Sequence, residues 1–343
     1  MKLLPLSLAA GVLLASGLFT STWARAAAAG TCGTEELAAG SQSIDVTSGG
    51  LKRAVLLYVP QAAAGHRALP LVIDLHGSGG NGAQQAQLSR LPALAARNGF
   101  VVAEPSGGVV LPGAPDAHYW NIPGVPLIGG TATPADAPDD VLFISDVIDA
   151  IAAKTCIDPR RIFVTGMSGG ARMASLLACR LSTRIAAVAP VSGLRAGLPA
   201  SDSRSCQPRR PVPIVTFHGT GDRVNPVNGD GSPRWSYSIP VALARWAELD
   251  HCQGAPHEER ISAHVTLVRY RPCAQGAEIL FYRTDASGEQ GGGHAWPGSV
   301  PRRAAAGKAA EQFLRANEPS TEIDASALMW KFFEAHPLPA GTQ

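Results

Sequence analysis

Ser168 stands in Gly166-Met167-Ser168-Gly169-Gly170, directly after the branched apolar run Ile162–Thr165 and before a stretch with helical patterning. A G-x-S-x-G sequence between a strand and a helix is a nucleophile elbow: the chain turns so sharply that its two arms nearly touch. Glycines on either side avoid Cβ clashes at that approach. The turn lifts the serine Oγ clear of the backbone, and the following helix N-terminus offers N–H groups to developing negative charge. The chemistry this permits is attack on an acyl carbon. A bare match weighs little in a chain with 37 glycines. Its position at a strand-to-helix junction weighs more, the plain alternative being a glycine-rich turn with an ordinary serine.

Serine is a weak nucleophile until a base takes its proton. His294, in Gly291-Gly292-Gly293-His294-Ala295-Trp296-Pro297-Gly298, is the candidate base among 9 histidines. The architecture that uses this elbow supplies its triad in the order Ser, acid, His, and His294 comes late enough. His66, His76, His118 and His218 come before a plausible acid or adjoin a strand in another role. The acid is sought after the strand-like run Pro213–His218, where Gly219-Thr220-Gly221-Asp222 follows at once. A carboxylate there can accept the imidazole Nδ1–H and stabilise the imidazolium. Asp230, in a looser glycine-rich turn, is the rival; Asp158 reads as a turn residue, and Asp139, Asp140, Asp146 and Asp149 as helix cap and solvent face. Oxyanion donors are expected from the residue after the nucleophile, Gly169, and from Ser78 in His76-Gly77-Ser78-Gly79-Gly80-Asn81. That loop lacks the Lys-Ser/Thr end of a phosphate-binding loop and the spacing of a dinucleotide fingerprint.

These residues need a scaffold. Ala54–Val59, Leu71–His76, Phe100–Ala103, Ile162–Thr165, Ala186–Val191 and Pro213–His218 are short, branched apolar runs that suit strands buried on both faces. Helical spacing lies between them: Val141, Ile144, Val147, Ile148 and Ile151 line one face of Asp140–Lys154, with Asp140 able to cap its start. Gly169–Leu181, Ile239–Leu249 and residues 327–335 also read as helices, the last packing Leu328, Trp330 and Phe333. Such alternation implies right-handed crossovers and a mostly parallel sheet with helices on both faces. Gly107–Pro138 lacks periodicity and carries Tyr119 and Trp120, which suits a lid or binding loop. Gly229–Ser238 and Gly288–Gly293 are shorter loops of the same kind.

Composition bounds the rest. The chain has 343 residues, 45% hydrophobic and 16% charged, with 37 Gly and 27 Pro. That excludes a charged disordered protein and a coiled coil. Residues 1–26 read as an export signal: Lys2, an apolar run from Leu3 to Phe19 broken only by Ser7 and Ser16, then Ala24-Arg25-Ala26. Lys2 and Arg25 account for the net charge of +2, so the remainder is neutral and nothing suggests a nucleic-acid footprint. The expected organisation is a signal peptide at 1–26 and one catalytic domain at 27–343, secreted or periplasmic, with no membrane association after cleavage. The 6 cysteines include no C-x-x-C pair, which favours disulfides over a metal site. Cys252 and Cys273 flank one strand-bearing excursion and are paired first, Cys179 with Cys206 second, leaving Cys32 with Cys156. No metal and no cofactor are expected.

Several stretches together carry a family resemblance: the His76–Asn81 loop, Asp139-Asp140-Val141, Asp158-Pro159-Arg160-Arg161-Ile162 leading into Gly166–Gly170, and Val188–Gly193. His218–Asp222, Ala244-Arg245-Trp246 and Gly293–Gly298 extend it. From about Ser43 to the C-terminus the chain resembles the secreted polyhydroxybutyrate depolymerase-like and feruloyl esterase-like branch of the α/β-hydrolases, close to carbohydrate esterase family 1. The resemblance implies an α/β-hydrolase fold with Ser168, Asp222 and His294 as nucleophile, acid and base. It also implies a small ester pocket beside Trp296 and the Gly107–Pro138 loop. Trp296, Trp120 and Tyr119 could stack there on a planar acyl group or a sugar, and each could equally be packing, Trp296 being the better candidate because it is two residues from His294. The implied activity is a serine esterase acting on hydroxyalkanoate oligomers or on feruloyl or acetyl esters of plant polysaccharide. A peptidase or acyltransferase would share the triad, and a catalytically silent binding protein would share the fold.

Overall fold

A computed structural model describes Met1 and residues 37–61, 67–197, 206–285, 292–300 and 317–341. Residues from Cys32 to Gln343 form one unit, and the fold below is that of its described residues. The expected signal sequence, Cys32, His66 and most of Gly288–Gly293 lie outside the described residues.

The apolar runs become the middle of a ten-stranded sheet. Its strands are β1 (Gly40–Ser48), β2 (Leu51–Val59), β3 (Leu69–Leu75), β4 (Val101–Pro105), β7 (Ile157–Met167), β8 (Ala187–Val191), β9 (Ile214–Gly219), β10 (His257–Arg260), β11 (Val265–Tyr270) and β12 (Ile279–Thr284). A separate two-stranded ribbon joins β5 (Val109–Val110) and β6 (His118–Tyr119). The order across the sheet is β1-β2-β4-β3-β7-β8-β9-β12-β11-β10. The run from β4 through β12 is parallel, and the two edges are antiparallel additions.

The expected strands all occur, with ends that differ by a few residues. Not placed individually were the edge strand β1, the strands β10 and β11 of the expected strand-bearing excursion, and β12, which closes the parallel run. Exposed and buried residues alternate along the second half of β1, and β10 is exposed throughout. An edge strand needs only half its faces apolar, so its signal is faint.

Neighbouring residues of one strand feed opposite faces. Leu71 and Ile73 belong to the core under α3 (Asp140–Lys154), α4 (Gly169–Arg180) and α5 (Ile239–Leu249), whereas Val72 faces the second core. The second core lies under α2 (Leu91–Asn98) and α6 (Ala325–Ala335), where Phe163 stacks on Phe333 at 4.6 Å and Phe100 on Trp330 at 4.1 Å. Such ring pairs contribute about 1 kcal/mol each beyond their buried area. The remaining helix, α1 (Gly82–Ser89), is capped by the Asn81 side chain accepting from Gln84 N.

Two expected disulfides are present, Cys179–Cys206 and Cys252–Cys273. The latter closes the excursion that carries β10 and β11. The third pairing includes Cys32 and so lies outside the described residues.

One expectation needs correction. The cap of α3 is Asp139, whose side chain accepts from Val141 N and Leu142 N. Asp140 is fully buried and ion-pairs with Arg53 at 2.7 Å. It also accepts from Gly108 N at 3.1 Å and Asn121 N at 2.8 Å, tying down two points of the 107–138 segment. Two adjacent aspartates at a helix start can exchange these jobs, and only the packing of Arg53 against the Phe143 ring decides which turns inward.

Beneath the active rim, β3 and β4 hold two buried carboxyls side by side. Asp74 accepts from Gln85 Nε2 at 2.7 Å, while neither Glu104 carboxyl oxygen has a hydrogen-bond partner. Burial, reinforced by the Asp74 charge, pushes the Glu104 carboxyl up to about 9; burial pushes Asp74 up to about 7. The folded state therefore keeps protons that the unfolded chain has already lost. Their contribution to stability is fully present below the ordinary carboxyl range and is lost as pH rises towards 9. The melting temperature is expected to drop between about pH 5 and pH 9, and Glu104→Gln to flatten that drop, raising the melting temperature at the alkaline end by several degrees. Thermal unfolding followed by circular dichroism at both pH values checks this; an unchanged slope in the variant would contradict it.

Candidate active site

Ser168 sits between β7 and α4 with φ 56° and ψ −111°. A non-glycine residue in this region stores about 1–3 kcal/mol of backbone strain, held by its surroundings. The holding contacts are visible. Ser168 N donates to Val191 O of β8, and Arg172 N donates to Ser168 O as α4 begins. The glycines expected from the motif are required by contact. A Cβ on Gly166 would lie 2.6 Å from Leu75 O, and one on Gly170 would run into the same carbonyl and stand 2.6 Å from His76 O. Gly170→Ala is accordingly expected to destabilise the protein by about 3 kcal/mol or more, because only backbone can yield. That corresponds to a melting temperature lower by at least roughly 6 °C. A melting point within a degree of wild type would show that the elbow has slack.

The oxyanion loop abuts this turn. A Cβ on Gly169 would stand 2.9 Å from Ser78 N and closer still to Ser78 Oγ, so the two expected donors are neighbours. His76 holds the loop in place. Its Nε2 accepts from Gly107 N at 2.9 Å, which leaves the proton on Nδ1 to be donated to Gly77 O at 2.7 Å. Burial pulls this imidazole down to about 4, so it works as a neutral clamp. Gly79 and Gly80 pair with His118 of β6, and the Trp120 indole N–H donates to His76 O at 2.8 Å. The 107–138 segment is thus a ribbon bonded to the oxyanion loop.

Asp222 and His294 meet. The imidazole Nδ1 lies 2.8 Å from Asp222 Oδ2. The other carboxylate oxygen accepts from Val224 N at 2.9 Å and Asn225 N at 2.7 Å, fixing the Asp222 rotamer. His294 N donates to Asn317 Oδ1 at 2.8 Å. The rival acid, Asp230, is exposed and spends Oδ1 on Ser232 N. Ser192 Oγ reaches Ala295 O at 3.4 Å, so the histidine loop borders the end of β8, to which Ser168 N is also bonded. Ser168 is 9% exposed and the His294 side chain 12%: the pair is recessed yet reachable.

Of the aromatic candidates, Tyr119 stays at the site, since a Cβ on Gly79 would stand 3.4 Å from its hydroxyl. Trp120 and Trp296 require correction. Trp120 is 4% exposed and stacks on His76 at 4.8 Å. Trp296 is 1% exposed and donates its indole N–H to Ser326 Oγ of α6 at 3.0 Å. Both rings are occupied by packing, because each backbone position directs its side chain beneath the rim.

Several residues at the site escaped sequence reasoning. Asn225 donates to Ser192 O at 2.6 Å and accepts from Arg172 Nη2 at 2.6 Å, locking the acid loop to β8 and α4. His218, fully buried on β9, places Nε2 2.8 Å from Asn225 O and 3.4 Å from Asp222 Oδ2. Burial lowers its pKa and keeps it neutral. Asn225 stands three residues after Asp222, a spacing at which an aspartate commonly caps its own loop. That signal was present; its link to Arg172 was not.

Comparison with known proteins finds esterases. Residues 53–210 match the family model Esterase PHB depolymerase. Feruloyl esterase B of Piromyces equi is 30% identical over 249 residues, which cover 71% of this chain and 42% of that protein. The bifunctional acetylxylan esterase/xylanase XynS20E of Neocallimastix patriciarum is 26% identical over 245 residues, 70% of this chain and 31% of that protein. The chain therefore spans less than half the length of these two relatives. The acetyl xylan esterase from Aspergillus awamori superposes with a TM-score of 0.53 at 18% identity, covering 77% of this chain and 96% of that one, which speaks to the fold. With its mostly parallel sheet, its elbow and these matches, the chain has an α/β-hydrolase fold and is similar to polyhydroxybutyrate depolymerase-like and feruloyl esterase-like proteins.

Proposed function

We propose that the protein is a serine carboxylic ester hydrolase in which Ser168 is the nucleophile, His294 the base and Asp222 the acid. The supporting observation is the Asp222–His294 hydrogen bond formed on the rim that carries the Ser168 elbow. Ser168 Oγ attacks the ester carbonyl carbon while His294 Nε2 takes its proton. The N–H groups of Gly169 and Ser78 stabilise the oxyanion. Collapse of the tetrahedral intermediate breaks the bond to the alcohol oxygen, which receives the proton from His294. Water, deprotonated by the same imidazole, then attacks the acyl-enzyme and releases the acid.

The proposed substrates are hydroxyalkanoate oligomers or feruloyl and acetyl esters of plant polysaccharide, in keeping with the names of the relatives. An extracytoplasmic location, with a signal peptide at 1–26 and one catalytic domain at 27–343, accords with the two disulfides. Among the described residues no helix is long and apolar enough to cross a membrane. The test is labelling with a fluorophosphonate followed by peptide mass spectrometry, alongside a panel of acetyl, feruloyl and hydroxybutyryl esters. Labelling at Ser168 with turnover of at least one ester is expected. Absence of both would overturn the proposal.

A further inference from the structure

Three arginines from separate parts of the chain gather around Trp235, close to the proposed site. Arg172, one turn into α4 from Ser168, is 2% exposed. Its Nη2 is spent on Asn225, whereas its Nε is buried without a partner. Arg195, just past β8, lies 4.0 Å over the Tyr237 ring and 5.1 Å over Trp235, and its Nη1 is likewise buried without a partner. Arg172 lies 4.9 Å over the same Trp235 ring. Arg234 is half-buried; it donates to Pro126 O at 2.6 Å and approaches Ser78 Oγ at 3.5 Å. It therefore stands beside the oxyanion loop, near the Tyr119 hydroxyl.

Gathering three guanidiniums in partly buried surroundings is costly unless an anion balances them. Burial, reinforced by the charges of Arg234 and Arg195, lowers Arg172 to about 9. Among the described residues none of the three is ion-paired with a carboxylate. Asp222, whose field Arg172 feels, is engaged with His294, Val224 and Asn225. Asp230 acts on Arg172 and Arg195 as a nearby negative charge, but it is exposed to water, turned to Ser232, and is one carboxylate against three guanidiniums. The cluster thus has unspent donors and excess positive charge beside the reacting groups. Guanidinium is the side chain best matched to a planar carboxylate, which it can meet with paired N–H bonds.

We infer that Arg234, backed by the charges of Arg172 and Arg195, forms a subsite for a carboxylate carried by the ester substrate. This rests on the esterase reading and narrows it to acidic esters. The acid group could lie on the alcohol side, as in a hydroxyacid oligomer with a free end, or on the acyl side, as in a half-ester of a diacid.

The experiment compares matched pairs. 3-Acetoxybutyrate and its methyl ester test the alcohol side; monoethyl succinate and diethyl succinate test the acyl side. Wild type is expected to favour the anionic member of one pair relative to Arg234→Gln. In that variant the anionic-to-neutral ratio of kcat/KM should fall by about tenfold or more, the worth of a charge-assisted bond, mainly through KM. Arg234→Lys should keep part of the ratio, and added salt should shrink it in wild type. Equal ratios in wild type and Arg234→Gln for both pairs would overturn the inference while leaving the esterase reading intact, provided the neutral esters are turned over. If wild type turns over no ester, both fail. Should Arg234→Gln not fold, inhibition of neutral-ester turnover by 3-hydroxybutyrate and by its amide decides: stronger inhibition by the acid supports the subsite, and equal inhibition overturns it.

Discussion

Ser168→Ala is expected to lower kcat/KM on short acyl esters by about 10⁴-fold or more while leaving the fold intact. The side chain carries the reacting oxygen and nothing in the backbone depends on it. Ser168 N and O are both engaged, with Val191 O and Arg172 N, and alanine keeps those bonds. Alanine also inherits the same positive φ, so the strain of the elbow is unchanged to first order. Residual activity would come from the oxyanion donors and from substrate positioning, which survive the substitution. Purified variant and wild type should be compared by melting temperature and by initial rates. Rates that match in two equally folded proteins would remove Ser168 from the mechanism.

The second large effect is expected from Asp222→Asn, about 10⁴-fold in kcat. The reason is local and directional. One carboxylate oxygen faces two backbone donors, Val224 N and Asn225 N. An asparagine must therefore turn its carbonyl oxygen towards them, which leaves its NH₂ aimed at His294 Nδ1. His294 is then forced to accept at Nδ1 and to carry its proton on Nε2, where it can no longer take one from serine. The variant should retain the wild-type melting temperature to within a few degrees, because every position keeps a hydrogen-bond partner. Fluorophosphonate labelling should slow in parallel with ester turnover. A variant that is labelled and turns over at the wild-type rate would show that the acid is elsewhere.

Much of this architecture was legible in the residues. The parallel strands announced themselves because a strand covered on both faces must be apolar throughout, as Leu69–Leu75 and Ala187–Val191 are. Helices α3 and α5 were placed to the residue, since their apolar spacing ends at strong caps, Asp139 and Ser238. The edge strands were less legible for the opposite reason: β10 reads His-Glu-Glu-Arg, and only backbone pairing with β11 makes it a strand.

The separation of aromatic roles was equally hidden. Trp120, Tyr119 and Trp296 look alike beside a glycine-rich loop, yet two are packed beneath the rim and one stands at it. The choice between Asp139 and Asp140 as the α3 cap was hidden for the same reason: it turns on a partner, Arg53, on β2.

Local rules thus sufficed wherever the physics is local. An elbow needs glycines at fixed offsets, a buried strand needs apolar residues in unbroken series, and a helix needs its period and its cap. Convergence is another matter. That Arg172 joins Asn225, that Trp296 turns to Ser326, and that Arg172 and Arg195 gather over Trp235 depend on side chains brought together across the sheet. Contacts between residues distant in the chain arise from packing, and packing is settled only when the whole core closes.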